Sequence, residues 1–108
     1  MNPWETQLRK GVVELAVLAS IARGESYGYQ IVERLHDLEG LALTESTVYP
    51  VLTRLARDGA LAVRAQPSPS GPTRRYYRLT DEGLARLARM ATSWRTVSSS
   101  LTRLIEGA

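Results

Sequence analysis

The sequence predicts a mainly α domain that carries one β-hairpin and ends in a long helix. Three observations predict it. Apolar residues recur at steps of three and four in separate runs up to Asp58-Gly59; two short strand-like segments flank a Pro/Ser-rich stretch at 67–72; and the helical period resumes unbroken from Asp81 to Glu106. With 108 residues, 44% of them hydrophobic and 23% charged, the chain suits one compact unit with a single core. Within that unit residues 1–80 hold the short helices and the hairpin, and residues 81–108 hold the final helix.

From Gln7 to Arg23, Leu8, Val12, Leu15, Leu18, Ala19 and Ala22 share one helical face, so the spacing predicts a first helix running to Gly24. Ser26 is the expected N-cap of a second, whose apolar positions are Tyr27, Ile31, Leu35 and Leu38 and whose stop is Gly40. Thr44 or Ser46 opens a third, with Val48, Val51, Leu52 and Leu55 inward. Pro50 lacks an N–H, so that helix is expected to start near Ser46. Leu61–Ala65 and Arg74–Thr80 read as the strands of a hairpin with a long tip at Pro67–Pro72, Tyr77 and Leu79 on one face, Tyr76 and Arg78 on the other. Asp81 and Glu82 complement the N-terminal dipole of the last helix, about 39 Å long at 1.5 Å per residue. Three short helices followed by a hairpin are the layout of a winged helix-turn-helix.

Several function classes lack their parts. Without cysteine there is no disulfide or thiolate site, and a reducing cytoplasm is the expected setting. No apolar run reaches the roughly 20 residues of a membrane span, and Met1-Asn2-Pro3-Trp4-Glu5 has no signal-peptide order. With a single histidine, no Gly-rich phosphate loop and no carboxylate cluster, neither catalytic residues, a metal site nor a cofactor is expected. His36 reads as a surface or capping residue, Trp4 as a lid on the core, and Tyr27 and Tyr29 as structural.

The formal charge is +3, and Lys10 is the sole lysine among the cations. Arginine is the better fork for phosphate and guanine, although a GC-rich genome also favours it. On the third helix Ser46, Pro50, Thr53 and Arg57 point outward, flanked by Tyr49 and Arg54, and this face suits a DNA groove. Any solvated helix carries such residues, so the sharper signal is the hairpin, where Arg74-Arg75 follow a Gly-Pro turn and Arg78 comes next on the strand. A winged helix used as a protein-interaction module is the alternative; it needs no cations at these positions.

Tyr27-Gly28-Tyr29-Gln30-Ile31, Thr47-Val48-Tyr49-Pro50-Val51-Leu52-Thr53-Arg54-Leu55 and Arg75-Tyr76-Tyr77-Arg78-Leu79-Thr80-Asp81-Glu82-Gly83 resemble the YGY segment, the TLYPxLxRL recognition helix and the RKYYxLTxxG wing of the PadR family of transcriptional regulators, in its compact form. The resemblance implies a dimeric repressor of double-stranded DNA, with contacts from Ser46, Thr47, Tyr49 and Arg54 on the helix and Arg74 and Arg75 in the wing. This sequence departs from the family in its arginine-for-lysine surface and its proline-rich wing tip.

The last helix supplies an independent expectation. Leu84, Leu87, Ala91, Trp94, Ser98, Leu101 and Ile105 form a stripe that Met90, Val97 and Leu104 widen, more than one small domain can cover. A second copy would bury it and give a homodimer suited to a palindromic operator, its half-sites about 34 Å apart. The resemblance adds Leu8, Val12 and Leu15 of the first helix to that interface. It also implies that Trp94 contacts a planar hydrophobic effector between subunits, as the corresponding tryptophan does in some compact relatives.

Overall fold

The computed structural model describes residues 2–107; Met1 and Ala108, which close the two predicted segments, lie outside them. The elements in chain order are α1 Pro3–Lys10, α2 Val13–Ala22, β1 Ser26–Tyr27, α3 Gly28–Asp37, α4 Glu45–Arg57, β2 Leu61–Ser68, β3 Gly71–Leu79 and α5 Asp81–Ile105. This is a winged helix-turn-helix with a long C-terminal helix, as the sequence predicts.

The core forms where three helices meet the sheet. Val17, Leu18 and Ile21 of α2, Ile31 and Leu35 of α3, and Val48, Leu52 and Leu55 of α4 are buried against one another, with Leu61 and Tyr77 closing the cluster from the sheet. The predicted inner face of α4 is therefore the observed one, Val51 packing at its margin. Leu87 and Met90 carry the start of α5 onto the same cluster, while the rest of α5 supplies no residue to it.

The junction between the wing and α5 is tight. Thr80 caps α5 by accepting from the Gly83 N–H at 3.0 Å, and its hydroxyl donates to the Gly59 carbonyl. A Cβ on Gly83 would lie 2.1 Å from the Ala60 carbonyl oxygen, so only glycine lets the helix approach the turn so closely.

Local details correct the sequence reading. The first helix is two, broken at Gly11-Val12, where a glycine of low helix propensity meets consecutive β-branched residues. The break resets the phase: Val13 and Val17 enter the core, and Leu8 and Ala19 stay exposed. Ser26 is not a cap but a buried member of β1, its hydroxyl shared between the Gly24 carbonyl and Arg34 Nη2; Tyr27 takes the cap position of α3. The sheet runs β1-β3-β2, so β1 makes it three-stranded.

The wing tip is also shorter than expected. Both strands persist to a turn at Pro69-Ser70, and the register shift between Gln66 and Ser68 absorbs Pro67, which sits on the outer strand β2 where a missing ladder donor is tolerated. Trp4 does not cover the core; it stands on α1, 66% exposed.

Candidate nucleic-acid interface

The first turn of α4 presents Ser46 and Thr47 to solvent, and the Thr44 and Ser46 hydroxyls lie 3.0 Å apart. Tyr49, one turn on, leans over α3: a Cβ on Gly28 would meet its ring at 2.7 Å, so glycine there admits the ring. Burial, reinforced by the nearby Glu45 carboxylate, pushes the Tyr49 phenol up from its usual range, so it stays a neutral donor. Pro50 lies inside the helix, which starts at Glu45, one residue before the expected Ser46, and Thr53 Oγ1 donates to the Tyr49 carbonyl at 3.1 Å.

Across from this face stands the wing. A cleft of about 700 Å³ separates the two, and Tyr49 and Thr53 line one wall while Arg74 and Arg75 line the other. Arg75 shares the strand face of Tyr77, and Arg74 that of Tyr76, so the pair flanks the wing on both sides. Arg57 is open to solvent, its nearest carboxylate that of Asp58 at 3.9 Å.

Arg54 departs from this arrangement. Its guanidinium turns away from the cleft onto Glu14 of α2, Nη1 to Oε1 2.7 Å, and 4.0 Å from Asp58. Arg86 of α5 closes the ring, 3.7 Å from Glu14 and 3.8 Å from Asp58. Four charges of alternating sign thus tie α2, α4 and α5 together. A helical wheel gives the azimuth of residue 54 but not the reach of its side chain, and Glu14 is 40 residues away.

Sequence reasoning also missed the outer face of the sheet. Arg64 grips Glu25 through Nε and Nη2 and lies 4.6 Å over the Tyr76 ring. These hydrogen bonds hold the Glu25 carboxyl below its ordinary range. Tyr76 meets Tyr27 edge-on at 5.6 Å, and Arg74 lies 4.6 Å over Tyr27. The pattern depends on β1, and two residues carry no readable period.

Of the residues expected at a dimer interface, Val12, Leu15, Leu87, Met90 and Ala91 are partly covered within the chain. Leu8, Trp94, Val97, Leu101 and Leu104 are exposed, Leu104 at 74% and Trp94 at 47%. Leu15, Leu87 and Ala91 also line a groove of about 620 Å³ with Trp94 at its rim. No described helix is long and apolar enough to cross a membrane.

The transcriptional regulator PadR-like family matches residues 17–89. A PadR-like transcriptional regulator from Bacillus cereus is 33% identical and superposes with a TM-score of 0.82, covering 94% of this chain and 99% of that one. The transcriptional regulator Rv3488 of Mycobacterium tuberculosis is 35% identical over 81 residues, 75% of this chain and 74% of its own. Bacillus subtilis PadR, whose structure is a complex with operator DNA, is 27% identical with a TM-score of 0.69, covering 74% of this chain and 46% of that one.

Proposed function

Because the chain belongs to the PadR-like family of transcriptional regulators, we propose that it is a dimeric, sequence-specific DNA-binding repressor. The observation that carries this reading is the cleft between α4 and the wing, where hydroxyls and an aromatic ring of the helix stand opposite the strand that carries Arg74 and Arg75. Such a set supplies phosphate contacts from arginine and threonine together with base-edge or thymine-methyl contacts from the helix. Ser46, Thr47, Tyr49, Thr53 and Arg57 act from α4, and Arg74 and Arg75 from the wing. Arg54, held by Glu14, acts on the helix rather than on DNA. The operator complex of Bacillus subtilis PadR supports the same partner.

In this reading residues 1–80 bind DNA and residues 81–108 dimerise. The support is the apolar surface that α1 and α5 leave open, from Trp4 and Leu8 to Trp94, Val97, Leu101 and Leu104, which is large for a lone domain. A planar hydrophobic effector bound in the groove beside Trp94 releases the protein from its DNA, and the protein works in the cytoplasm.

Selection from a pool of random duplexes tests the reading. The expected result is a palindromic consensus bound by two protomers about a thousandfold or more tighter than unselected DNA. A pool that acquires no consensus favours the winged helix as a protein-interaction module.

A further inference from the structure

On the outer face of the sheet a row of stacked side chains runs from an acid to a cation. At one end Glu25 neutralises Arg64, Nη2 to Oε1 2.7 Å, and Arg64 covers Tyr76. At the other end Arg74 covers Tyr27 and makes no ion pair to a carboxylate among the described residues. The same stacking thus holds one arginine whose charge is spent and one whose charge is available.

Backbone pairing fixes the row. Tyr27 sits opposite Tyr76, and Arg64 opposite Tyr76 from the other side. Tyr27 also ends the loop at the cap of α3, its N–H donating to Gln30 Oε1 at 3.1 Å, and it is followed by buried Gly28. Its ring is therefore anchored both to the helical body, at the cap of α3, and to the root of the wing, through the pairing with Tyr76, and both it and Arg74 line the cleft facing α4. A free arginine on an exposed strand spends its time among many rotamers, and ordering it on binding costs affinity. A ring face beneath the guanidinium removes part of that cost in advance and leaves the N–H edge open.

We infer that Tyr27 is a positioning residue for DNA binding: its ring holds the Arg74 guanidinium at the cleft, ready for a DNA phosphate. The inference rests on the reading of this cleft as the DNA interface. Binding of the full chain to a mixed-sequence duplex, followed by anisotropy across a salt series, tests both separately. Arg74→Ala is expected to weaken binding and lower the salt slope by about one. Tyr27→Leu is expected to weaken binding about three-fold to five-fold when Arg74 is present and not at all in the Arg74→Ala background, while Tyr27→Phe, which keeps the ring, binds as the parent does.

Equal loss from Tyr27→Leu in both backgrounds, or no loss beside an intact Arg74, overturns the positioning role while leaving the interface reading intact. An Arg74→Ala protein with unchanged affinity and slope overturns the wing contact and the inference with it. If circular dichroism finds Tyr27→Leu unfolded, the strand-forming Tyr27→Ile takes its place in the cycle.

Discussion

The helical body and the outer part of α5 use the same apolar vocabulary and end in opposite states. In α4, Val48, Leu52 and Leu55 are fully buried, and among the described residues every buried side-chain nitrogen or oxygen has a hydrogen-bond partner. In α5, Val97 and Leu101 recur at the same helical spacing and remain about half exposed, at 51% and 48%. Periodicity therefore says which face of a helix is apolar, and nothing about what covers it. In the body the cover comes from α2, α3 and the sheet; beyond Met90 the chain has none left to offer.

The largest effect should come from placing a charge on the open side. In the proposed dimer, Leu101→Asp puts two carboxylates into the two-fold interface and removes two leucines from it. At about 1.5 kcal/mol for each, dimerisation should weaken about a hundredfold or more. Sedimentation equilibrium reads the shift, and the monomer should keep its circular dichroism because Leu101 touches no core residue. A parent protein that sediments as a monomer would overturn the proposed dimer and leave the open side of α5 without a cover.

On the closed side, Gly83→Ala sets two opposing effects against each other. Alanine gains about 1 kcal/mol of helix propensity over glycine, but its Cβ would sit 2.1 Å from the Ala60 carbonyl oxygen. Relieving that overlap costs about 1–3 kcal/mol or more, and since backbone must move the upper end applies, so a net loss of about 2 kcal/mol is expected in a thermal or urea melt. Gly11→Ala is the control, because nothing stands within 4 Å of its would-be Cβ and its φ of −71° suits any residue. A rise in stability at both positions would mean that α5 is not pressed onto the wing turn.

What the sequence made legible follows the same division. The inner stripe of α4, the start of α5 at Thr80-Asp81-Glu82 and the facing of Tyr77 and Tyr76 could be read because each is set by local period and capping. The solvent-facing side of α4, with Ser46, Tyr49 and Thr53, could be read for the same reason. The strand β1 could not, since it depends on a partner distant in sequence, Ser26 pairing with Tyr77; the break at Gly11-Val12 and the tight wing tip, where Ser68 pairs with Gly71, are local but run against the apolar period and the prolines around them. Arg54 belongs with β1.

Arg54 separates contact with DNA from support of the helix that makes contact. Its pairs with Glu14 and Asp58 are partly exposed, the Arg54 side chain at 41% and the Glu14 side chain at 23%, so solvent screening limits their worth to about 1 kcal/mol. Arg54→Ala should lower stability by that amount, and Glu14→Ala should cost little more once Arg54 is gone, because the two changes remove one shared interaction. The salt dependence of DNA binding supplies the independent reading. Losing a phosphate contact lowers the slope by about one, as expected for Arg57→Ala or Arg75→Ala, whereas losing a clamp between α2 and α4 weakens binding at every salt concentration alike. A slope that falls by about one in Arg54→Ala, with stability unchanged, would mean that the side chain leaves Glu14 for the DNA backbone, and the ring of charges joining α2, α4 and α5 would then open whenever DNA is bound.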